Sequence, residues 1–208
     1  PARFLPDAEI DIGAATAIDL DRPMAAIRAD LAELEVGAPV LLSGTLVVAR
    51  DLVHAALAER LAAGRPLPAY MQDHPIYYAG PAKTPKGHAS GSFGPTTAAR
   101  MDAYMADFQA AGGALVTLAK GNRSAAVVDS CKANGGFYLA TIGGTAARLG
   151  QDMIKSVEAI DFEAFGMEAA WRIRVEGMPA FLVIDDKGND FYRRIRKRRG
   201  VPVSAAGV

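Results

Sequence analysis

Between Ala89 and Asp102 the chain reads Ala-Ser-Gly-Ser-Phe-Gly-Pro-Thr-Thr-Ala-Ala-Arg-Met-Asp, a run of small residues that turns into a helical pattern. Gly91 and Gly94 let the backbone come close to a ligand, Pro95 fixes φ, and Thr96 or Thr97 suits a helix cap. Unsatisfied N–H groups at such a helix start, with its dipole, favour an anion. Arg100 stands four residues after Thr96, so on a helix beginning there a hydroxyl and a guanidinium would share one face, a pair suited to a carboxylate. Two further cations follow strand-like runs: Arg50 after 39–49 and Lys120 after 114–119. Strand ends of this kind are where open α/β sheets collect ligands. Three cations match what a small dianion requires, because each charge-assisted hydrogen bond contributes only about 1.5 to 3 kcal/mol net. The residues by themselves leave a small-carboxylate site and a phosphate site both open. The plainer alternative is a capped helix with a solvated arginine.

These residues need a scaffold, and the pattern supplies one. Pro23 is placed to start a helix whose Met24, Ile27, Leu31 and Leu34 recur on one face. The run 39–49 is aliphatic and β-branched around Ser43-Gly44, which predicts two short strands or one bent strand. A helix follows from Asp51 to about Ala63, with Leu52, Ala55, Ala56 and Leu61 as its expected buried face and His54 on its surface. Asp51 reads as a cap. Strands are expected at 76–79, 114–119 and 137–142, with helices from Thr96 and over 123–133 between them, so the pairing should be parallel with helices on a face. Met101, Tyr104, Met105 and Phe108 form an apolar stripe that belongs to the core. Beyond a short helix reaching Gln151 the character changes: 154–160, 169–175 and 179–185 read as strands, with Asp186-Lys187-Gly188-Asn189 as a hairpin turn. The fold class is therefore α/β, with strand-helix-strand units followed by a β-rich C-terminal part. Residues 1–22 are a lead-in, 23–192 the domain, and 193–208 a basic, solvated tail.

The 208 residues, half of them hydrophobic, suffice for a sizeable core, and 23 basic residues balance 23 acidic ones. That balance argues against a nucleic-acid surface. No apolar run approaches a membrane span of about 20 residues, and the start lacks the layout of a signal peptide, which points to the cytoplasm. The absence of an initial Met suggests a piece of something longer. Cys131 is the single cysteine, so an iron-sulfur cluster or structural zinc would need other ligands. His74 and His88 carry no functional signal.

Seven ordered blocks carry more than periodicity. They are Leu42–His54, Ile76–Lys83, Gly91–Tyr104, Leu118–Asn122, Gly135–Leu139, Gly166–Trp171 and Pro179–Phe191. Together they closely resemble the C-terminal domain of class I, iron-sulfur fumarate hydratases, a domain that also occurs as the β subunit of L-tartrate dehydratase. The resemblance spans roughly residues 15–192. It implies a swivelling β/β/α domain with a mixed sheet, closing over a [4Fe-4S] cluster whose ligands lie in a separate N-terminal domain or α subunit. This chain would bind no metal and be inactive alone, and the complete enzyme would be a homodimeric hydro-lyase of the tricarboxylic acid cycle. The positions matching the family's substrate contacts are Arg50, Arg100 and Lys120, which would hold the carboxylates of a C4 acid, and Thr96, which would accept a proton. A threonine hydroxyl is a poor base and would need neighbouring cations to ease its ionisation. The expected reaction is reversible hydration of fumarate to (S)-malate. The alternatives are the β subunit of L(+)-tartrate dehydratase and a non-catalytic carboxylate-binding module.

Overall fold

The computed structural model describes residues 14–82, 84, 86–87, 90–141 and 149–199. The strands are β1 (Thr16–Asp19), β2 (Pro39–Val48), β3 (Ile76–Tyr77), β4 (Ala79–Pro81), β5 (Phe93–Pro95), β6 (Val116–Ala119), β7 (Phe137–Ala140), β8 (Ile154–Asp161) and β9 (Ala170–Ile184). The helices are α1 (Met24–Ala32), α2 (Asp51–Ala62), α3 (Tyr70–Asp73), α4 (Asp102–Ala110), α5 (Ala125–Asn134) and α6 (Phe191–Arg198). Seven strands form one mixed sheet in the order β1-β2-β3-β6-β7-β9-β8, and β9 also pairs with β2. The extra pairing closes β2-β3-β6-β7-β9 into a five-stranded barrel. In it β2, β3, β6 and β7 run parallel while β9 runs against both neighbours.

Alternation along the strands separates two cores. Val40, Leu42, Leu46 and Val48 of β2 join Tyr77, Val116, Leu118, Phe137, Leu139, Ala180 and Leu182 in one cluster, which Ile27 and Leu31 of α1 complete. The intervening residues Val47, Ala49, Ile76, Ala119, Tyr138 and Ala140 face the other way, against Val53 and Leu57 of α2, Met105 and Phe108 of α4, and Val127, Val128 and Cys131 of α5. Helices α2, α4 and α5 thus cover one outer side of the barrel, as parallel strand-helix-strand units require.

Several expectations change. The run 39–49 takes the second of its two expected forms, one strand over 39–48 bulged between Leu42 and Gly44. The two strands expected over 169–185 are the single 15-residue β9, held continuous by its long pairing with β2. On α2 the buried residues are Val53, His54 and Leu57, while Leu52 is exposed. The helix expected from Thr96 begins later, as a 3-10 turn over Ala98–Met101 that leads into α4. The helix expected at Arg123 begins at Ala125. The basic run folds as α6, capped by the Asp190 carboxylate accepting from Tyr192 N and Arg193 N. The expected helix reaching Gln151 lies mostly outside the described residues.

Candidate functional site

The parallel strands bring the predicted residues to one edge. Val48, Tyr77 and Leu118 lie abreast on β2, β3 and β6, so Arg50 and Lys120 each follow two residues later. With β3 between them, their backbones stand about 10 Å apart. Thr96 occupies the gap: its N–H donates to Tyr78 O at 2.7 Å and its carbonyl accepts from Lys120 N at 3.2 Å, while Ala98 N donates to Lys120 O at 2.9 Å. The segment therefore runs as an added extended strand. This is why the helix does not start at Thr96, and why Thr96 and Arg100 do not share a helical face. Thr97, in the cap position, makes no side-chain capping bond. Because the Thr96 N–H is already spent, an anion here depends on side chains and not on a helix start at Thr96. Among the described residues, Thr96 Oγ1 and Lys120 Nζ form no side-chain hydrogen bond or ion pair.

The two arginines are paired. Arg100, half exposed, forms an ion pair with Asp51, Nη2 to Oδ2 at 2.8 Å, and that oxygen accepts no hydrogen bond. Asp51 thus opens α2 as the partner of Arg100, and the cap position belongs to Arg50. Arg50, one-fifth exposed, places Nη2 3.2 Å from Glu168 Oε1. Glu168 Oε2 accepts from Leu52 N at 3.3 Å. The Arg50 guanidinium lies directly on Gly80, where a Cβ would fall 2.7 Å from Cζ and 2.8 Å from Nη2. Its Nε is buried without a hydrogen-bond partner.

Beneath this edge lies a polar layer that the sequence does not announce. His54 is fully buried, not on the helix surface, and packs against the rings of Tyr78, Tyr104 and Phe108. Its Nδ1 is 3.1 Å from Arg50 O, so the proton sits on Nδ1 and donates to that carbonyl. Burial drives its pKa down to about 4 and the ring is neutral. Arg123, also buried, spans Tyr78 and Tyr138 with its guanidinium over both rings. Its Nε donates to Asp102 Oδ1 at 2.6 Å, and Ser124 N donates to Asp102 Oδ2 at 2.6 Å. Asp102 thereby joins the start of α4 to that of α5, and its hold on Arg123 and Ser124 delays α5 to Ala125. Glu168, Gly80 and Asp102 escape a reading of motifs because each acts on a partner remote in sequence. All three lie within the seven blocks, but the blocks do not show which partner each one meets.

Among the described residues no three His, Cys, Asp or Glu side chains are grouped to hold a metal ion. Cys131 is buried against Gln109 Nε2 at 3.6 Å. No helix among them is long and apolar enough to cross a membrane.

The family profile described as "Fumarase C-terminus" matches residues 1–195. The chain belongs to this fumarase C-terminal family. It is 56% identical over 196 residues to "Fumarate hydratase 2" of Leishmania major, covering 93% of this chain and 34% of that protein. It is 53% identical over 198 residues to "Fumarate hydratase class I, aerobic" of Escherichia coli, covering 94% of this chain and 36% of that protein. A "Putative L(+)-tartrate dehydratase subunit beta" of Methanocaldococcus jannaschii is 32% identical over 174 residues, covering 81% of this chain and 89% of that subunit. The chain thus spans about a third of the length of the fumarate hydratases it matches.

Proposed function

We propose that this fumarase C-terminal domain binds the C4 dicarboxylate of a class I fumarate hydratase and works with a [4Fe-4S] cluster carried by the remainder of the enzyme. The observation that supports this is the meeting of Arg50, Thr96 and Lys120 on one barrel edge, with Arg100 tied to it through Asp51. The cluster's ligands are assigned to the rest of the protein, as the resemblance to the family implies. When bound, such a cluster supplies a Lewis acid. This chain supplies charge and position. Arg50 and Arg100 each present a planar guanidinium to a carboxylate, and Lys120 adds a point charge. Thr96, whose backbone is fixed between Tyr78 and Lys120, would take a proton from the carbon beside a carboxylate. The Lys120 cation, assigned to the same site, would ease ionisation of that hydroxyl.

The complete protein would hydrate fumarate reversibly to (S)-malate, as a homodimer in which this domain swivels over the cluster. The Methanocaldococcus relative supports a second substrate, L(+)-tartrate, on the same cation set. The deciding experiment is anaerobic hydration of fumarate beside dehydration of L-tartrate, by this chain alone and joined to its cluster-bearing part. Turnover of fumarate only in the joined form is expected. Preference for tartrate would change the substrate, and no turnover with an intact cluster would leave a carboxylate-binding module.

A further inference from the structure

Glu168, just ahead of β9, meets Arg50, just past the end of β2, across neighbouring strands. In the register, β9 runs antiparallel to β2 with Val48 facing Trp171, so the segment entering β9 lies beside the segment leaving β2. Glu168 reaches across with both oxygens, Oε1 to the Arg50 guanidinium and Oε2 to the Leu52 N–H. Both partners are donors, and one of them is charged. Only a carboxylate has an acceptor for each and a charge for the cation. Gly80 forms the floor: the guanidinium rests where a side chain would otherwise stand, and the three atoms nearest that Cβ would all belong to the Arg50 guanidinium. With its floor and one edge fixed, Arg50 is held by shape and charge while most of its donors stay uncommitted.

We propose that Glu168 and Gly80 are positioning residues that pre-set Arg50 for the substrate carboxylate. This rests on the proposed role of Arg50 in binding. A preset guanidinium loses less rotamer entropy when the dicarboxylate arrives, so the benefit falls on binding. Arg50 holds a carboxylate that is present throughout the reaction, and a loss of such uniform binding raises KM and leaves kcat. Glu168→Gln supplies one acceptor and no charge, so an NH2 group must face either Leu52 N–H or the guanidinium. Gly80→Ala displaces the guanidinium by steric contact, without touching Glu168.

The test is steady-state kinetics of the full-length, cluster-loaded enzyme with fumarate and malate, with thermal unfolding midpoints and a crystal structure of each variant. Glu168→Gln and Gly80→Ala are each expected to raise KM on the order of tenfold with kcat within about twofold, at an unchanged unfolding midpoint. Glu168→Asp, which restores the charge, should recover most of the KM, and the crystal structures of the first two should show Arg50 moved from Gly80. Arg50→Lys is the control for the site itself. If Arg50→Lys raises KM while Glu168→Gln and Gly80→Ala keep the parental KM, the positioning roles fall and the site stands. If Arg50→Lys changes neither constant, Arg50 leaves the site and the inference goes with it. A lower KM in Glu168→Gln would also overturn it, by showing that the carboxylate competes with substrate.

Discussion

His54 gives the chain a pH dependence that can be worked out in advance. The native ring is fully buried among Tyr78, Tyr104 and Phe108, and burial lowers its pKa to about 4, whereas an unfolded histidine titrates near 6.5. Between these values the unfolded chain binds a proton that the native chain refuses. Stability is therefore fully present above about pH 6.5, falls as pH drops, and levels off below about pH 4. From pH 7.5 to 5.5 the loss amounts to about 1.3 kcal/mol, from one pKa unit being worth about 1.36 kcal/mol. His54→Phe keeps a ring of similar size against the same neighbours and removes the titration, at the cost of the bond to Arg50 O. Urea unfolding of both proteins across this range should show the parent losing about 1.3 kcal/mol more than the variant. His74 also has a lowered pKa, chiefly through burial, but it is present in both proteins and cancels in the difference. Parallel pH curves would refute the buried, neutral imidazole, since a solvated ring has the same pKa folded and unfolded and contributes no slope.

Arg100→Lys keeps the charge but loses the planar fork, so kcat/KM of the joined enzyme should fall by about 10- to 100-fold; near-parental turnover would remove Arg100 from the site. Asp102→Asn leaves the buried Arg123 guanidinium without its counter-charge and weakens the hold on Ser124 N, which should cost about 3 to 5 kcal/mol in denaturant unfolding. A loss below about 1 kcal/mol would mean that Arg123 finds water in the native state. Gly135 ends α5 with φ 68° and its carbonyl accepts from Arg28 Nε at 2.7 Å. Gly135→Ala adds left-handed strain and pushes on Arg28, for an expected loss of about 1 to 2 kcal/mol that calorimetry would register.

What the sequence makes legible here is what repeats locally. The Met101, Met105 and Phe108 stripe marks the buried face of α4 and the 3-10 turn before it, and the aliphatic runs ending at Val48 and Ala119 mark strands whose ends carry Arg50 and Lys120. Closure of the barrel is not local. It depends on β9 pairing with both β2 and β7, and the alternation along a strand tells which face is buried, not which strands lie beside it. Thr96 shows the same limit on a smaller scale. Proline, threonine and a following apolar stripe are a fair helix start, and backbone bonds to Tyr78 and Lys120 override it. His54 looked like a surface residue because Leu52 was given to the buried face; the helix is rotated so that Val53, His54 and Leu57 face inward.

Strand direction sorts the charges of the site. A strand of the parallel set reaches this edge at its C-terminal end, and the residues that follow it are Arg50 and Lys120. The closing strand arrives from the other direction, so what it brings to the same edge is the segment before its start, and there the residue is Glu168. The acid beside Arg50 is 116 residues from Leu52 in sequence and next to it in space only because β9 is antiparallel. Had the fifth strand been parallel, the segment before it would have left from the opposite rim, taking Glu168 away from Arg50. The barrel thus does two things at once: closure removes the open edges of β2 and β7, and the direction of the closing strand sets a carboxylate on one cation while Lys120, two strands away, makes no ion pair among the described residues.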